Sequence, residues 1–312
     1  MTIRHLFIAL LASLAGITLG AQAACPPEPA VPTPEQIAGW AGKAPDRGVL
    51  WRISRDGHSS YLFGSLHVGK AQWIVPGPAL RAAWADTEVL ALELDPADVL
   101  PALAKMPPPP PLPEKLALRM QAQVRAACLP EGALSTLPLM LQLSTLTLFE
   151  ARRDGLDAGF GQEMMLLGLA KAEGRPVQSL ETVEEQLAAL SGGEQEMALL
   201  DAGLRQLQQG QVRGPLRKLA EVWSRGDLQT LADYRRWCNC ADTPAERDWI
   251  KRLNDDRNLQ LAGRIDALHA AGQRLFVAVG ALHMSGPEAL PRLLAARGFE
   301  VQALVPARPA SK

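Results

Sequence analysis

The sequence predicts an α/β fold with a central sheet, two βαβ-like repeats at the chain ends and a large helical insertion between them. Three observations predict it. Short apolar runs typical of strands occur near both ends, segments 94–176 and 182–272 have helical patterns, and two stretches at opposite ends resemble each other. With 312 residues, 47% of them hydrophobic, the chain can bury a sizeable core. We expect one domain over residues 47–306.

Six segments are expected to form strands. Val49–Ile53 and Ser60–Phe63 flank Asp56–Gly57, a pair that favours the tight turn of a β-hairpin. The other four are short runs of apolar character, and Leu275–Val279 is of the kind that is buried on both faces of a sheet. These four are residues 89–92, 177–180, 275–279 and 301–305.

The helical segments carry their own start and stop signals. Thr182 and Glu185 have capping-box spacing, and residues 245–271 form a long helical pattern that ends at Gly272. Pro107–Pro111 cannot be helical, because proline lacks the backbone N–H that a helix needs.

Two related stretches contain a Gly-x-Leu-His motif, at Gly64–His67 and Gly280–His283. In each, the motif follows a strand, a Gly-Pro pair is expected to begin a helix, and a strand starting Glu-Val-x-Ala-Leu comes next. The motif glycine is expected to let the chain turn sharply off the strand. Agreement in order and spacing favours an internal duplication over chance. Both histidines would then leave strand carboxyl ends, where open α/β sheets bind ligands.

Glu93 follows the strand 89–92, whereas Val305 holds the matching place in the second stretch. Two imidazoles and one carboxylate can hold a divalent cation and leave a coordination position for water. Taken singly, each histidine reads as a buried structural residue and Glu93 as a solvated strand end. Taken together, we expect His67, His283 and Glu93 to be ligands of a divalent metal ion.

Composition and the chain start limit the possible partners. The chain has 32 basic and 33 acidic side chains and is 5% aromatic, which argues against nucleic-acid binding. Residues 1–24 are expected to be a cleaved secretory signal peptide, because their apolar run is too short to span a membrane. No later segment is long enough to span one. We therefore expect a periplasmic or secreted protein.

The other segments near the chain ends and the cysteines are consistent with a periplasmic or secreted location. Residues 25–46 are expected to be an extended Pro/Ala-rich arm and 307–312 a tail. Four cysteines in an oxidising compartment predict one or two disulfides, and three complete pairings are possible. The cysteines are Cys25, Cys128, Cys238 and Cys240.

With these motifs, the chain resembles the TraB/PrgY/GumN family, which is related to the Tiki metalloproteases, over roughly Val49 to Leu304. One departure is Gly159–Gln162, where the family commonly has Gly-Ile-Asp, so an acid is expected to be missing there. The resemblance is carried by both Gly-x-x-His motifs, Leu92–Asp95, Leu180–Thr182, Trp223–Asp227 and Arg257–Asn258.

The resemblance implies a compact α/β fold and peptide hydrolysis that depends on a divalent metal, with zinc, manganese and cobalt left open. Carried onto this sequence, Glu93 would be a ligand or the water-activating base, and Glu181 a further ligand or the general base. Arg257 would stabilise an oxyanion or hold a substrate carboxylate, and Asn258 would orient one of these groups. Each of these two residues also has a non-functional interpretation. Glu181 could be an ordinary residue beside a helix cap, and Arg257 could form an ion pair on the surface of a helix.

We therefore expect a metal-dependent hydrolase, with a peptidase favoured over an esterase-like enzyme, acting on a peptide or protein substrate. The alternative is a non-catalytic protein that binds or sequesters peptides on the same scaffold. Its motivation is Met164–Leu167, which could line an apolar groove or belong to the core. The sequence leaves the substrate, the metal and the oligomeric state open.

Overall fold

A computed structural model describes residues 25–306 of the chain, so the expected signal peptide and the tail 307–312 lie outside the described residues. The fold is mixed α/β around one six-stranded sheet with the order β4-β3-β5-β2-β1-β6. The strands are β1 (Val49–Arg55), β2 (His58–Ser65), β3 (Val89–Leu92), β4 (Val177–Ser179), β5 (Leu275–Gly280) and β6 (Glu300–Val305). All six predicted strands are confirmed, and each observed end lies within two residues of the predicted one.

Helices cover both faces of the sheet and form a separate layer beside it. In chain order they are α1 (Pro34–Ala41), α2 (Pro78–Ala85), α3 (Pro96–Leu103), α4 (Glu114–Ala126), α5 (Leu139–Ala151), α6 (Gln162–Glu173), α7 (Val183–Leu190), α8 (Glu196–Gln208), α9 (Arg213–Ser224), α10 (Leu228–Ala232), α11 (Pro244–Lys251), α12 (Arg257–Ala270) and α13 (Leu290–Ala296). The predicted capping box of Thr182 and Glu185 begins α7. Residues 107–111 are not helical, as their prolines predict.

The predicted hairpin is confirmed, with β1 antiparallel to β2. Asp56 and Gly57 both have positive φ, 54° and 82°. This backbone suits the two-residue turn that matches the twist of paired strands.

Strands β2, β5, β3 and β4 run parallel to one another, so their carboxyl ends lie at the same edge of the sheet. The register pairs Ser65 with Gly280 and Leu92 with both Ala278 and Ser179. Pairing continues beyond β4, since the backbone N–H of Glu181 donates to the carbonyl of Glu93 at 3.0 Å. The residues that follow these four strands are therefore neighbours.

The sheet is buried on both faces. On one face, Phe63 and Phe276 pack with residues of α2, α6 and α9. On the other, Leu62 and Val277 pack against α12 and α13. The alternation of faces along each strand follows from the two-residue period of β-structure.

The middle of the chain adds a third core, formed by α4, α5 and α8. We call this group the helical layer.

The two Gly-x-x-His units interleave in the sheet, because β5 lies between β2 and β3, and β1 and β2 lie between β5 and β6. That they arose by duplication stays a prediction.

Two local predictions are wrong. The arm 25–46 is not extended throughout, because Thr33 and Gln36 form a capping box that begins α1. Gly286–Pro287 does not begin a helix; Gly286 has φ 87°, and α13 begins only at Leu290. The helical stretch 245–271 is confirmed, and it contains a π-helical turn at Arg252–Asp256 between α11 and α12.

Both pairs of cysteines form disulfides, Cys25 with Cys128 and Cys238 with Cys240. The first ties the start of the arm to the end of α4. Within residues 25–306, no helix is both long and apolar enough to cross a membrane.

We expect Trp223→Phe to lower the free energy of unfolding by about 2–4 kcal/mol, because it leaves a cavity and removes a buried hydrogen bond. Trp223 is 1% exposed, and its indole N–H donates to the carbonyl of Gly64 at 2.7 Å. Denaturant unfolding measures the change, with Trp40→Phe in the half-buried α1 position as the control. A loss no larger than that of the control would contradict this account.

The Glu185 carboxylate should stabilise the fold in a defined pH range. Hydrogen bonds from Arg264 and the Thr182 backbone lower the pKa of Glu185 from 4.5 to about 2. Since the folded-state pKa is the lower one, this stabilisation is present above about pH 4.5 and is lost as pH falls towards 2. We expect the Tm difference between wild type and Glu185→Gln to shrink over that range. The exposed neighbour variant Glu184→Gln should show no such trend.

Candidate functional site

The residues that follow four parallel strands meet at one edge of the sheet. His67 follows β2, Glu93 follows β3, Glu181 follows β4 and His283 follows β5. The start of α12 adds Arg257 and Asn258 to the same place. The structure brings the predicted site residues into one neighbourhood, although each makes different contacts.

Arg257 joins the two carboxylates at the centre of the site. Its Nη2 donates to Glu93 Oε2 at 2.6 Å, and its Nε donates to Glu181 Oε1 at 2.9 Å. A second bond from Nη2 to Glu181 makes that pair bidentate. All three side chains are mostly buried, and that of Glu181 is only 1% exposed. Arg257 is therefore part of the site and not a surface ion pair.

The charges of this group hold Glu93 ionised. Burial alone would raise the pKa of Glu93, but the positive charge of Arg257, and of the nearby histidines when they are protonated, lowers it well below its usual range. The backbone N–H of Gly280 adds a hydrogen bond to Glu93 Oε1 at 2.7 Å. Gln186 from α7 donates to Glu93 Oε2 at 3.1 Å. Glu93 is a fixed anion.

Neither motif glycine has the positive φ that would require glycine, and only Gly64 is needed for space. A Cβ on Gly64 would lie 2.5 Å from a Val49 side-chain atom, which is closer than packing allows. Gly280 has φ −49°, open to any residue, and a Cβ there would make an ordinary contact at 3.4 Å from Glu93 Oε1. The expectation that these glycines are needed for a sharp backbone turn is wrong.

His283 is held in one orientation by Asn258. The imidazole is 3% exposed, and its Nδ1 lies 2.6 Å from Asn258 Oδ1. An amide oxygen only accepts hydrogen bonds, so this network assigns the proton to Nδ1 and the lone pair to Nε2. Asn258 is fixed in turn, since its Nδ2 donates to the carbonyl of Glu288 at 2.6 Å. Burial lowers the pKa of His283 to about 4, so the ring is neutral at pH 7.

The Nε2 atom of His283 faces the centre of the site. It lies 3.7 Å from Glu93 Oε1 and 3.5 Å from Arg257 Nη1. A ring nitrogen with a lone pair and a carboxylate oxygen are both acceptors, and two acceptors are stabilised by a cation or proton between them. Fixing the far ring nitrogen by a hydrogen bond is also the usual arrangement of metal-binding histidines.

His67 lies at the exposed side of the site and pairs with an acid from α6. Its Nδ1 is 3.2 Å from Glu163 Oε1, and its side chain is 65% exposed. The negative charge of Glu163 raises the pKa of His67 to about 9, and solvent around the ring screens part of this effect. The pKa of Glu163 is lowered by His67 and Ser65, although burial alone would raise it.

Glu163 is a site residue that the sequence analysis missed. The departure at Gly159–Gln162 led us to expect no acid in this region, but Glu163 follows directly and reaches His67. Asp157 is also present nearby, where it pairs with Arg152 at 2.6 Å and bonds the N–H of Gly159. The expected loss of an acid is therefore wrong. No spacing or motif pairs Glu163 with a residue 96 positions earlier, so only the tertiary structure reveals the contact.

The π-helical turn Arg252–Asp256 lies immediately before Arg257 and Asn258. Such turns often occur at functional sites, because the extra residue shifts the direction of the side chains that follow. The carbonyl of Leu253 in this turn accepts a hydrogen bond from Arg257 Nη1 at 3.0 Å. The turn and the guanidinium thus position each other.

Within residues 25–306, no three His, Cys, Asp or Glu side chains are arranged so that they could hold a metal ion as they stand. Instead, Arg257 pairs with the carboxylates of Glu93 and Glu181, and Glu163 pairs with the imidazole of His67. That His67, His283 and Glu93 share a metal ion stays a prediction.

Comparison with known proteins gives a family and little beyond it. A model of the TraB/PrgY/gumN family matches residues 49–303. The chain is also similar to "Uncharacterized protein YbaP" of Shigella flexneri, with 26% identity over 249 residues that cover 75% of this chain and 87% of that protein. No solved structure matches the chain. Because the family match extends from β1 into β6, this protein belongs to the TraB/PrgY/gumN family.

Proposed function

We propose that this protein is a hydrolase that depends on a divalent metal ion and cleaves peptides. The observation that carries the proposal is the arrangement of His283 and Glu93. Asn258 fixes Nδ1 and so directs the Nε2 lone pair of the imidazole into the site, where Nε2 lies 3.7 Å from a carboxylate oxygen and 3.5 Å from Arg257 Nη1. Such a pair suits a cation.

The donor set fits a divalent ion in charge and in chemistry. Glu93 and Glu181 share the Arg257 guanidinium, and Glu163 pairs with His67, so the three carboxylates outnumber the positive charges even when His67 is protonated. Imidazole nitrogen and carboxylate oxygen suit zinc, manganese or cobalt. The residues that would hold the ion are His67, His283 and Glu93. When bound, it would lower the pKa of water and polarise a carbonyl group.

The remaining residues have separate tasks in this proposal. Glu181 is nearly inaccessible and holds Arg257, so it is a positioning residue. Arg257 places positive charge beside Glu93 and His283, where it would stabilise an anionic oxygen of the substrate. Glu163 is 19% exposed at the open side and is the carboxylate best placed to accept a proton from water.

The choice of peptides rests on the resemblance to the Tiki metalloproteases. Two disulfides are typical of proteins from oxidising compartments and support a periplasmic or secreted location. The alternative of a peptide-sequestering protein loses its original motivation. Met165 and Leu166 are buried in the sheet core and Leu167 packs against it, so only Met164 of this segment is exposed and the four residues do not form an apolar groove together.

We expect the wild type, loaded with Zn²⁺, Mn²⁺ or Co²⁺ and then desalted, to retain about one equivalent of metal. His283→Ala should retain less than about a tenth of an equivalent and lose cleavage of a peptide library, because a ligand is missing. Elemental analysis measures the metal. The control is His58→Gln, since His58 lies at the hairpin turn outside the site. Less than about a tenth of an equivalent on the loaded wild type would refute the metal proposal.

Arg257→Lys should lower kcat/KM for peptide cleavage by about a hundredfold, because lysine keeps the charge but not the fork that holds both carboxylates. Arg264→Lys is a matched control, since Arg264 lies on α12 and pairs with Glu185 outside the site. That variant should keep kcat/KM within about threefold of wild type. Equal effects of the two substitutions would show that Arg257 has only a structural role.

A further inference from the structure

A cavity of about 430 Å³ lies between the helical layer and the candidate site. Helix α5 contributes Met140 and Leu143, α8 contributes Leu199, and α9 contributes Leu216 and Leu219. Its volume is within the range of about 300–1,000 Å³ that is usual for ligand sites.

The lining of this cavity carries little charge. Among the described residues that line it, Glu246 is the one acidic side chain and none is Lys or Arg; His67, at the end next to the site, is paired with Glu163. The Glu246 carboxylate is already bonded, since its Oε2 accepts from the backbone N–H groups of Asp242 and Thr243 at 3.1 and 2.8 Å. Because Glu246 is bonded to the backbone and His67 to Glu163, a charged group inside the cavity would have to compete with these partners, so apolar occupants are favoured.

Two contacts join the cavity to the candidate site. His67 lines the cavity and is also the exposed histidine of the site. Leu253 lines it as well, and its carbonyl accepts the hydrogen bond from Arg257 Nη1 at 3.0 Å. An occupant of the cavity would therefore lie beside the proposed catalytic groups.

We propose that this cavity binds a hydrophobic segment of the substrate peptide next to the bond that is cleaved. That the bound peptide is a substrate rests on the proposed function. That the cavity prefers apolar peptides does not depend on it. The tail 307–312 is not the occupant, because it carries Arg308 and Lys312 and no large apolar side chain. Continuity with the site favours a substrate segment over a separate partner.

The first measurement uses the wild-type protein alone, in EDTA so that no turnover occurs. Fluorescence anisotropy compares a labelled Gly-Gly-Leu-Phe-Gly-Gly peptide with labelled Gly-Gly-Ser-Gln-Gly-Gly. We expect the apolar peptide to bind at least about tenfold more tightly, which corresponds to about 1.4 kcal/mol. Equal affinities would overturn the assignment.

The second measurement tests whether the preference for apolar peptides arises from binding in this cavity. Ser144 lines the cavity from α5, and its hydroxyl donates to the carbonyl of Met140 at 2.9 Å. Ser144→Phe fills the space and should weaken binding of the apolar peptide at least about tenfold, while Ser144→Ala should stay within about twofold of wild type. Thr147→Phe, one turn further along α5, repeats the test if Ser144→Phe fails to fold by circular dichroism.

The outcomes separate this inference from the proposed function. A preference that Ser144→Phe abolishes, with no cleavage after metal loading, would support the cavity assignment and refute the hydrolase. Cleavage without a preference for apolar peptides would refute the cavity assignment alone. A folded Ser144→Phe variant that keeps the preference would also refute it.

Discussion

The site depends on one buried interaction, the guanidinium of Arg257 between Glu93 and Glu181. The carboxylates follow adjacent parallel strands, and the close approach of two like charges would be unfavourable without a cation between them. Arg257 supplies that charge from the start of α12, directly after the π-helical turn. This interaction therefore ties the sheet edge to the helix that also carries Asn258, and through Asn258 it determines where His283 lies.

The same interaction leaves a chemical asymmetry between the two histidines. His283 is buried, neutral and fixed, while His67 is exposed and paired with Glu163. In the proposed function, both imidazoles would bind the ion, and a substrate would enter from the exposed side, where His67 lies. The apolar cavity begins on the open side, at His67, which gives the site a direction of approach.

Most of the fold was predictable because strands and caps leave local signals. Apolar runs such as Leu275–Val279 and the turn pair Asp56–Gly57 determine their structure through neighbours in sequence. The positions of His67 and His283 at strand ends followed from the same signals. Glu163 and the π-helical turn were not predictable, because each depends on contacts between distant segments. The role of Gly64 was misjudged for that reason, since the atoms that exclude a Cβ there belong to Val49, Ala281 and Met284.

The proposed metal site requires His67, His283 and Glu93 to bind one ion. X-ray absorption spectroscopy of the zinc-loaded protein tests this requirement, because imidazole ligands give a characteristic scattering pattern. We expect two imidazole nitrogens and at least one carboxylate oxygen at about 2.0–2.2 Å, with one imidazole lost in His67→Ala. A spectrum with no imidazole ligands, or one that His67→Ala leaves unchanged, would contradict it.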